Sequence, residues 1–168
     1  LKVGVVGVGG ISGAHIPAWL DMPEAELVAI CDIRPERMEK YDSVKHYTDY
    51  KEMLANESFD IIDICLPTYL HADYAIMDMK KGINVICEKP ISLKEEDVER
   101  VYSTAEKNNV KFMVAHVLRF WPEYELLKEI YDTPSVLNNV FNKYIVENHI
   151  MFDNAEKFNE ILRHTKRI

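Results

Sequence analysis

"GVVGVGGISGAH", residues 4–15, sets Gly7, Gly9 and Gly10 between an apolar run and a string of small residues. Two readings open from it. The segment is a tight turn that only needs residues lacking a Cβ, or it is a turn that holds dinucleotide phosphates at the start of a helix. The spacing Gly7-x-Gly9-x-x-Ser12 departs from G-x-G-x-x-G at its third position, so the segment alone decides nothing. Its neighbours do.

Upstream, Val3 to Val6 reads as a first strand, apolar on both faces as a buried parallel strand requires. Downstream, a helix is expected from Ile11 to Leu20, with Pro17 a local fault that costs ~3 kcal/mol in a helix interior and predicts a kink or a short helix. Strand and helix then alternate. Strands are expected at Glu26 to Cys31, Lys45 to Tyr47, Asp60 to Leu66, Asn84 to Cys87 and Lys111 to His116. Between them come helices at Pro35 to Tyr41, Asp49 to Ala55, His71 to Lys81 and Ser92 to Asn108, and another follows at Arg119 to Tyr131. Gly82 should stop one helix in a left-handed cap, and Ser92 with Glu95 reads as a capping box for the next. The expected fold class is α/β, a doubly wound parallel sheet of Rossmann-like design with right-handed crossovers.

Composition narrows the function. A chain of 168 residues holds one domain with a proper core, and a net charge of −8 argues against general nucleic-acid or membrane-surface binding, which favour excess Lys and Arg. No apolar run approaches the ~20 residues of a membrane helix, and no secretory leader pattern opens the sequence. Cys31, Cys65 and Cys87 lack C-x-x-C spacing and end strand-like runs, which predicts three buried, reduced thiols in a cytoplasmic protein. The six histidines form no H-x-x-x-H or Cys/His cluster, so no metal site is expected.

With the glycines placed between a first strand and a first helix, the dinucleotide reading gains its context. Gly7 permits the turn, Gly9 admits backbone to the pyrophosphate, and Ser12 is small enough for helix–strand packing. An acidic residue about 20 positions on should meet the adenosine ribose. Asp32, in "AICDIRPER", stands there. Arg34 next to it would accommodate a 2′-phosphate, whereas Asp32 would repel one, so NAD is favoured with NADP as the alternative.

"GVGGISGAHIPA", "CDIRPER", "ICLPTYLHADYA", "VICEKPIS" and "VAHVLRFWPEY" together resemble, in order, the signatures of the Gfo/Idh/MocA oxidoreductases. The resemblance covers residues 1 to about 131. It implies a domain that binds a nicotinamide dinucleotide and a reaction moving hydride between that cofactor and a sugar- or polyol-like alcohol. It also implies residue roles. Glu88-Lys89-Pro90 matches the family's E-K-P, which gives Lys89 an acid–base role beside the nicotinamide, Glu88 a contact to its ribose and Pro90 the shape of the turn. Pro67 and His71 match the loop along the cofactor, and Gly10 and Ile11 belong to the phosphate turn. His116 and Arg119 follow the sixth strand toward the same edge, with Trp121 as packing.

Beyond Asp132 the character changes to a glycine-free, asparagine-rich stretch. Val136, Leu137, Val140, Phe141, Tyr144 and Ile145 fit one helical face, and a second helix is expected from Asn154 to Arg163. The expected division is therefore a dinucleotide-binding domain at 1–131 and an atypical, helical tail at 132–168 in place of the family's substrate domain. His149 and Asp153 stand in the wrong order and context to take that domain's catalytic roles. A truncated or frameshifted member, a short form whose tail caps the sheet, and a substrate site supplied by a separate chain all remain open. If the tail leaves the sheet uncovered, self-association is expected. The competing function is a non-catalytic NAD(H)-binding module or sensor. A short-chain dehydrogenase is disfavoured: Tyr47-x-x-x-Lys51 and Tyr124-x-x-x-Lys128 have the spacing, but the glycine pattern is wrong.

Overall fold

Alternation along the strands sets the layers. In β1 (Lys2–Val6), Val3 and Val5 join one buried cluster with Ile16, Leu27, Ile30 and Met38, while Val6 joins another with Ile62, Ile64, Ala75 and Met79. Successive Cβ atoms point to opposite faces of a sheet, so an all-apolar strand needs a cover on both sides. The computed structural model describes residues 1–132 and supplies both covers. Its chain divides into two compact units, Leu1–His116 and Val117–Ile168.

The first unit holds β1, α1 (Ser12–Asp21), β2 (Glu26–Cys31), β3 (Lys45–Tyr47), α2 (Tyr50–Asn56), β4 (Ile61–Ile64), α3 (Thr68–Met79), β5 (Asn84–Cys87), α4 (Glu95–Asn108) and β6 (Phe112–Val114). The six strands form one sheet in the order β3-β2-β1-β4-β5-β6, and every neighbouring pair is parallel. The order reverses between β1 and β4. At such a switch point the loops after the strands diverge to opposite faces and leave a crevice at their carboxyl ends. In the second unit, a 3-10 turn (Val117–Phe120) precedes α5 (Pro122–Asp132). Trp121 and Tyr124 there make an edge-to-face contact at 6.2 Å between ring centroids.

Several expected boundaries move. α1 runs through Pro17 as an α-helix to Asp21, and Pro35–Arg37 forms only a 3-10 turn. α3 starts at Thr68, three residues before His71, because Pro67 holds an extended backbone at its N-cap. The capping box is corrected: Lys94 is the N-cap of α4, and Ser92 Oγ instead donates to Asp97 Oδ2 at 3.0 Å and accepts the Lys94 N–H. Gly82 does adopt a left-handed φ of +79°, with its N–H on the Met79 carbonyl. Tyr47 lies in β3 and donates its hydroxyl to Glu57 Oε1, so Tyr47 and Lys51 share no helical face. The three cysteines are buried and unpaired. No helix among the described residues is long and apolar enough to cross a membrane. The helices expected after Asp132 lie outside the described residues.

Candidate functional site

The carboxyl ends of β1, β2 and β4 are drawn together around Gly7. Its N–H donates to the Cys31 carbonyl at 2.8 Å, and the Cys65 N–H donates to the Val6 carbonyl at 2.8 Å. Gly7 has φ +91°, and a Cβ there would stand 2.7 Å from the carbonyl carbon and oxygen of Cys65. Conformation and space both demand glycine. At Gly9 an added Cβ would meet nothing closer than Arg37 Nη1 at 3.8 Å, and at Gly10 nothing within 4 Å. The backbone of this loop therefore borders open space. Ser12, the residue that replaces the third glycine, is buried, and its hydroxyl donates to the Gly9 carbonyl at 2.7 Å. Ile11 is exposed just before α1.

A cavity of about 470 Å³ opens at the switch point. Gly7 and Gly9 border it from the first loop, Asp32, Ile33, Arg34 and Arg37 from the second, Leu66 and Pro67 from the loop after β4, and Tyr69 from the first turn of α3. Asp32 is buried and already oriented. Its Oδ2 accepts the Val8 N–H at 2.8 Å and Arg37 Nη1 at 3.2 Å, and its Oδ1 accepts the Arg34 N–H at 2.9 Å. Ile33 and Tyr69 are 85% and 80% exposed, unusual for apolar side chains bordering a cavity, and they present surface that a flat apolar ligand would cover. Composition and spacing gave no reason to single out Ile33, Tyr69 or Arg37; their position at the cavity is a product of the loop paths.

Glu88, Lys89 and Pro90 follow β5, one strand beyond the cavity, and are not part of its lining. Glu88 is buried, while Lys89 is exposed and donates its backbone N–H to Glu88 Oε2 at 3.1 Å. The Lys89–Pro90 peptide is cis. His71 is buried below this turn, its ring nitrogens 2.7 Å from the Pro90 carbonyl and 2.6 Å from the Leu66 carbonyl. It thus ties the loop after β4 to the loop after β5, and does not border the cavity. His116 and Arg119 are both exposed.

A further set of polar groups lies beneath the first loop. His15, on α1, places Nδ1 at 2.8 Å from Asp63 Oδ2 and Nε2 at 3.1 Å from Glu88 Oε1. Trp19, one turn on, donates its indole N–H to Asp63 Oδ2 at 2.7 Å. The hydrogen bond to Asp63 holds the His15 pKa above its ordinary value, against the opposing effect of burial. His15, Asp63 and Cys65 bring their donor atoms within 4.8 Å of one another, a grouping invisible in the spacing of the histidines. Burial keeps the Cys65 thiol protonated and Asp63 is occupied by two N–H donors, so the set is built for mutual hydrogen bonding.

The fold has counterparts among known proteins. A family described as an oxidoreductase family with an NAD-binding Rossmann fold, Gfo/Idh/MocA, matches residues 1–116. The chain is 30% identical over 140 residues to myo-inositol 2-dehydrogenase of Thermotoga maritima, covering 81% of this chain and 42% of that protein. It is 28% identical over 133 residues to scyllo-inositol 2-dehydrogenase (NADP(+)) of Bacillus subtilis, covering 77% and 40%. Among solved structures, scyllo-inositol dehydrogenase from Lactobacillus casei, with bound NAD(H) and scyllo-inositol, superposes with a TM-score of 0.73 at 25% identity. The match covers 79% of this chain and 41% of that one. Myo-inositol 2-dehydrogenase from Lactobacillus plantarum gives 0.73 at 30% identity, with 79% and 41% covered. The chain thus spans about two fifths of the length of the relatives it matches.

Proposed function

The chain belongs to the Gfo/Idh/MocA oxidoreductase family, which carries the NAD-binding Rossmann fold, and from that premise we propose that it provides the cofactor half of a polyol or sugar dehydrogenase. Asp32 carries the reading. Its buried carboxylate, fixed by the Val8 N–H, faces a cavity at the switch point that Gly7 and Gly9 leave free of side chains. The residues present fit a nicotinamide dinucleotide. Asp32 would accept the adenosine ribose hydroxyls, Ile33 and Tyr69 would cover the adenine, and the loop at Gly9 and Gly10 with Ile11 and Ser12 would take the pyrophosphate at the start of α1. Arg34, Arg37 and Pro67 would close the cavity around it. Bound, the nicotinamide supplies or accepts the hydride.

Lys89, exposed at the end of β5, would hold or release the proton of a substrate hydroxyl, with Glu88 and Pro90 fixing its turn and His71 bracing the loop beneath. Inositols are the substrates named for several relatives, so a polyol or related sugar is the class proposed here. Most of each relative's length lies outside the match, and turnover is expected only where a substrate-binding portion is supplied. Without it, the expected behaviour is NAD(H) binding without turnover.

Asp32 also favours NAD over NADP, since a buried carboxylate repels a 2′-phosphate. Arg37, already paired with Asp32, moderates that preference. Calorimetric titration with NADH and NADPH tests both points. NADH should bind more tightly, and Asp32→Asn should weaken NADH about tenfold and narrow the gap between the two. Absence of saturable binding to either cofactor would sink the proposal.

A further inference from the structure

Strand alternation places two carboxylates under the same helix. In β4, Ile62 and Ile64 turn toward α3, so Asp63 between them turns toward α1. In β5, Val85 and Cys87 join the α3 side, and Glu88 follows on the α1 side. Asp63 lies at the sheet centre between Val5 and Ile86 and is 0% exposed; Glu88 is 6% exposed. Two buried carboxylates at the end of adjacent strands are costly unless a cation joins them. His15 joins them, with one ring nitrogen on each.

Ionised carboxylates only accept hydrogen bonds, so a ring facing one on each side is satisfied when both nitrogens donate, which is the imidazolium. Trp19, four residues on and on the same helical face, adds a second N–H donor on the same Asp63 oxygen. The Glu88 carboxylate is thereby held at both oxygens, Oε1 by His15 and Oε2 by the Lys89 N–H. Resting on the cofactor reading above, we infer that His15 is a positioning residue. Its imidazolium locks Glu88 against the sheet at the nicotinamide end of the site, so that binding of the nicotinamide half depends on the charge of a residue that touches no part of the cofactor.

The titratable groups facing His15 are Asp63 and Cys65 from β4 and its end, and Glu88 from the end of β5. Burial pushes the Cys65 thiol far above its ordinary value, so it does not titrate near neutral pH. The elevated pKa of His15 means that the imidazolium persists above 6.5 and is lost on the alkaline side.

The test uses the full chain, titrated with NADH and separately with ADP, which lacks the nicotinamide half, from about pH 6 to about pH 9.5. In the wild type, NADH affinity should fall about tenfold toward the alkaline end while ADP affinity stays level. His15→Gln should bind NADH weakly and without that pH dependence, with ADP affinity kept within about twofold. Nitrogen NMR of the histidines in the ligand-free wild type gives an answer independent of the variant's folding: His15 should be an imidazolium at neutral pH. A neutral His15 tautomer there, or a wild-type NADH-to-ADP affinity ratio that does not change with pH, overturns the inference while leaving the cofactor reading intact. A wild type that binds neither probe removes the cofactor reading, and the inference falls with it.

Discussion

At Gly7 a single hydrogen in place of a side chain holds two functions together. The φ of +91° disfavours any other L-residue, and a Cβ would press on the Cys65 backbone at 2.7 Å. Backbone cannot move aside as a flexible side chain can, because Cys65 is itself bonded to Val6. Gly7→Ala should therefore destabilise the protein by roughly 2 kcal/mol or more, read as a lowered denaturant midpoint, and should also weaken NADH by spreading β1 from β4. Gly10, where a Cβ meets nothing within 4 Å, is the control: Gly10→Ala should leave the unfolding free energy within about 0.5 kcal/mol of wild type. Equal effects at the two positions would show that the close approach at Gly7 is unimportant. Both glycines stand in one motif, and the sequence alone could not rank them; the difference lies in which of them another strand approaches.

Among the elements, apolar runs revealed the central strands, because a parallel sheet covered on both faces leaves little room there for polar residues, whereas the edge strand β3, Lys45–Tyr47, has no such run. Helix starts were less legible. Asp49 caps α2 as its residue type suggests, accepting the Glu52 N–H at 2.9 Å. Ser92 has the same kind of side chain but does not cap α4, where Glu95, Glu96 and Asp97 in the first turn set negative charge against the positive end of the helix dipole and stabilise the start instead. Asp49→Ala should thus cost about 1 kcal/mol of stability, whereas Ser92→Ala should cost clearly less, as chemical denaturation of the two variants would show. The site divides in the same way. Gly7, Asp32 and Glu88 could be placed from sequence because each closes a strand. His15 could not: its partners lie 48 and 73 residues away, and only the order β1-β4-β5 with the parity of each strand brings them under α1.

For the molecule as a whole, acidity is the dominant electrostatic character, and one buried acid makes stability respond to pH. Asp78 of α3 is 0% exposed, and its Oδ1 accepts the Tyr50 hydroxyl at 2.7 Å while Oδ2 has no partner among the described residues. Tyr50 in turn stacks against Tyr74 at 5.1 Å, and both rings border the cavity, so this acid lies directly behind the cavity wall. Burial raises the Asp78 pKa from an ordinary 3.8 to about 7. A carboxyl that holds its proton more tightly when folded favours the fold most below 3.8; that advantage declines as pH rises and is gone above about 7. Wild-type stability should therefore decrease across this window. Asp78→Asn, neutral at every pH and still able to accept from Tyr50, should remove this contribution. The variant should match the wild type near pH 4 and exceed it by up to a few kcal/mol at about pH 8, measured by urea unfolding at both values. The remaining slope in the variant then reports the other shifted groups, His15 among them, together with repulsion within a chain of net charge −8, of which salt should reduce the second part. Parallel pH profiles for the two proteins would mean that Asp78 is ionised in its buried position and that its unpartnered oxygen finds another source of stabilisation.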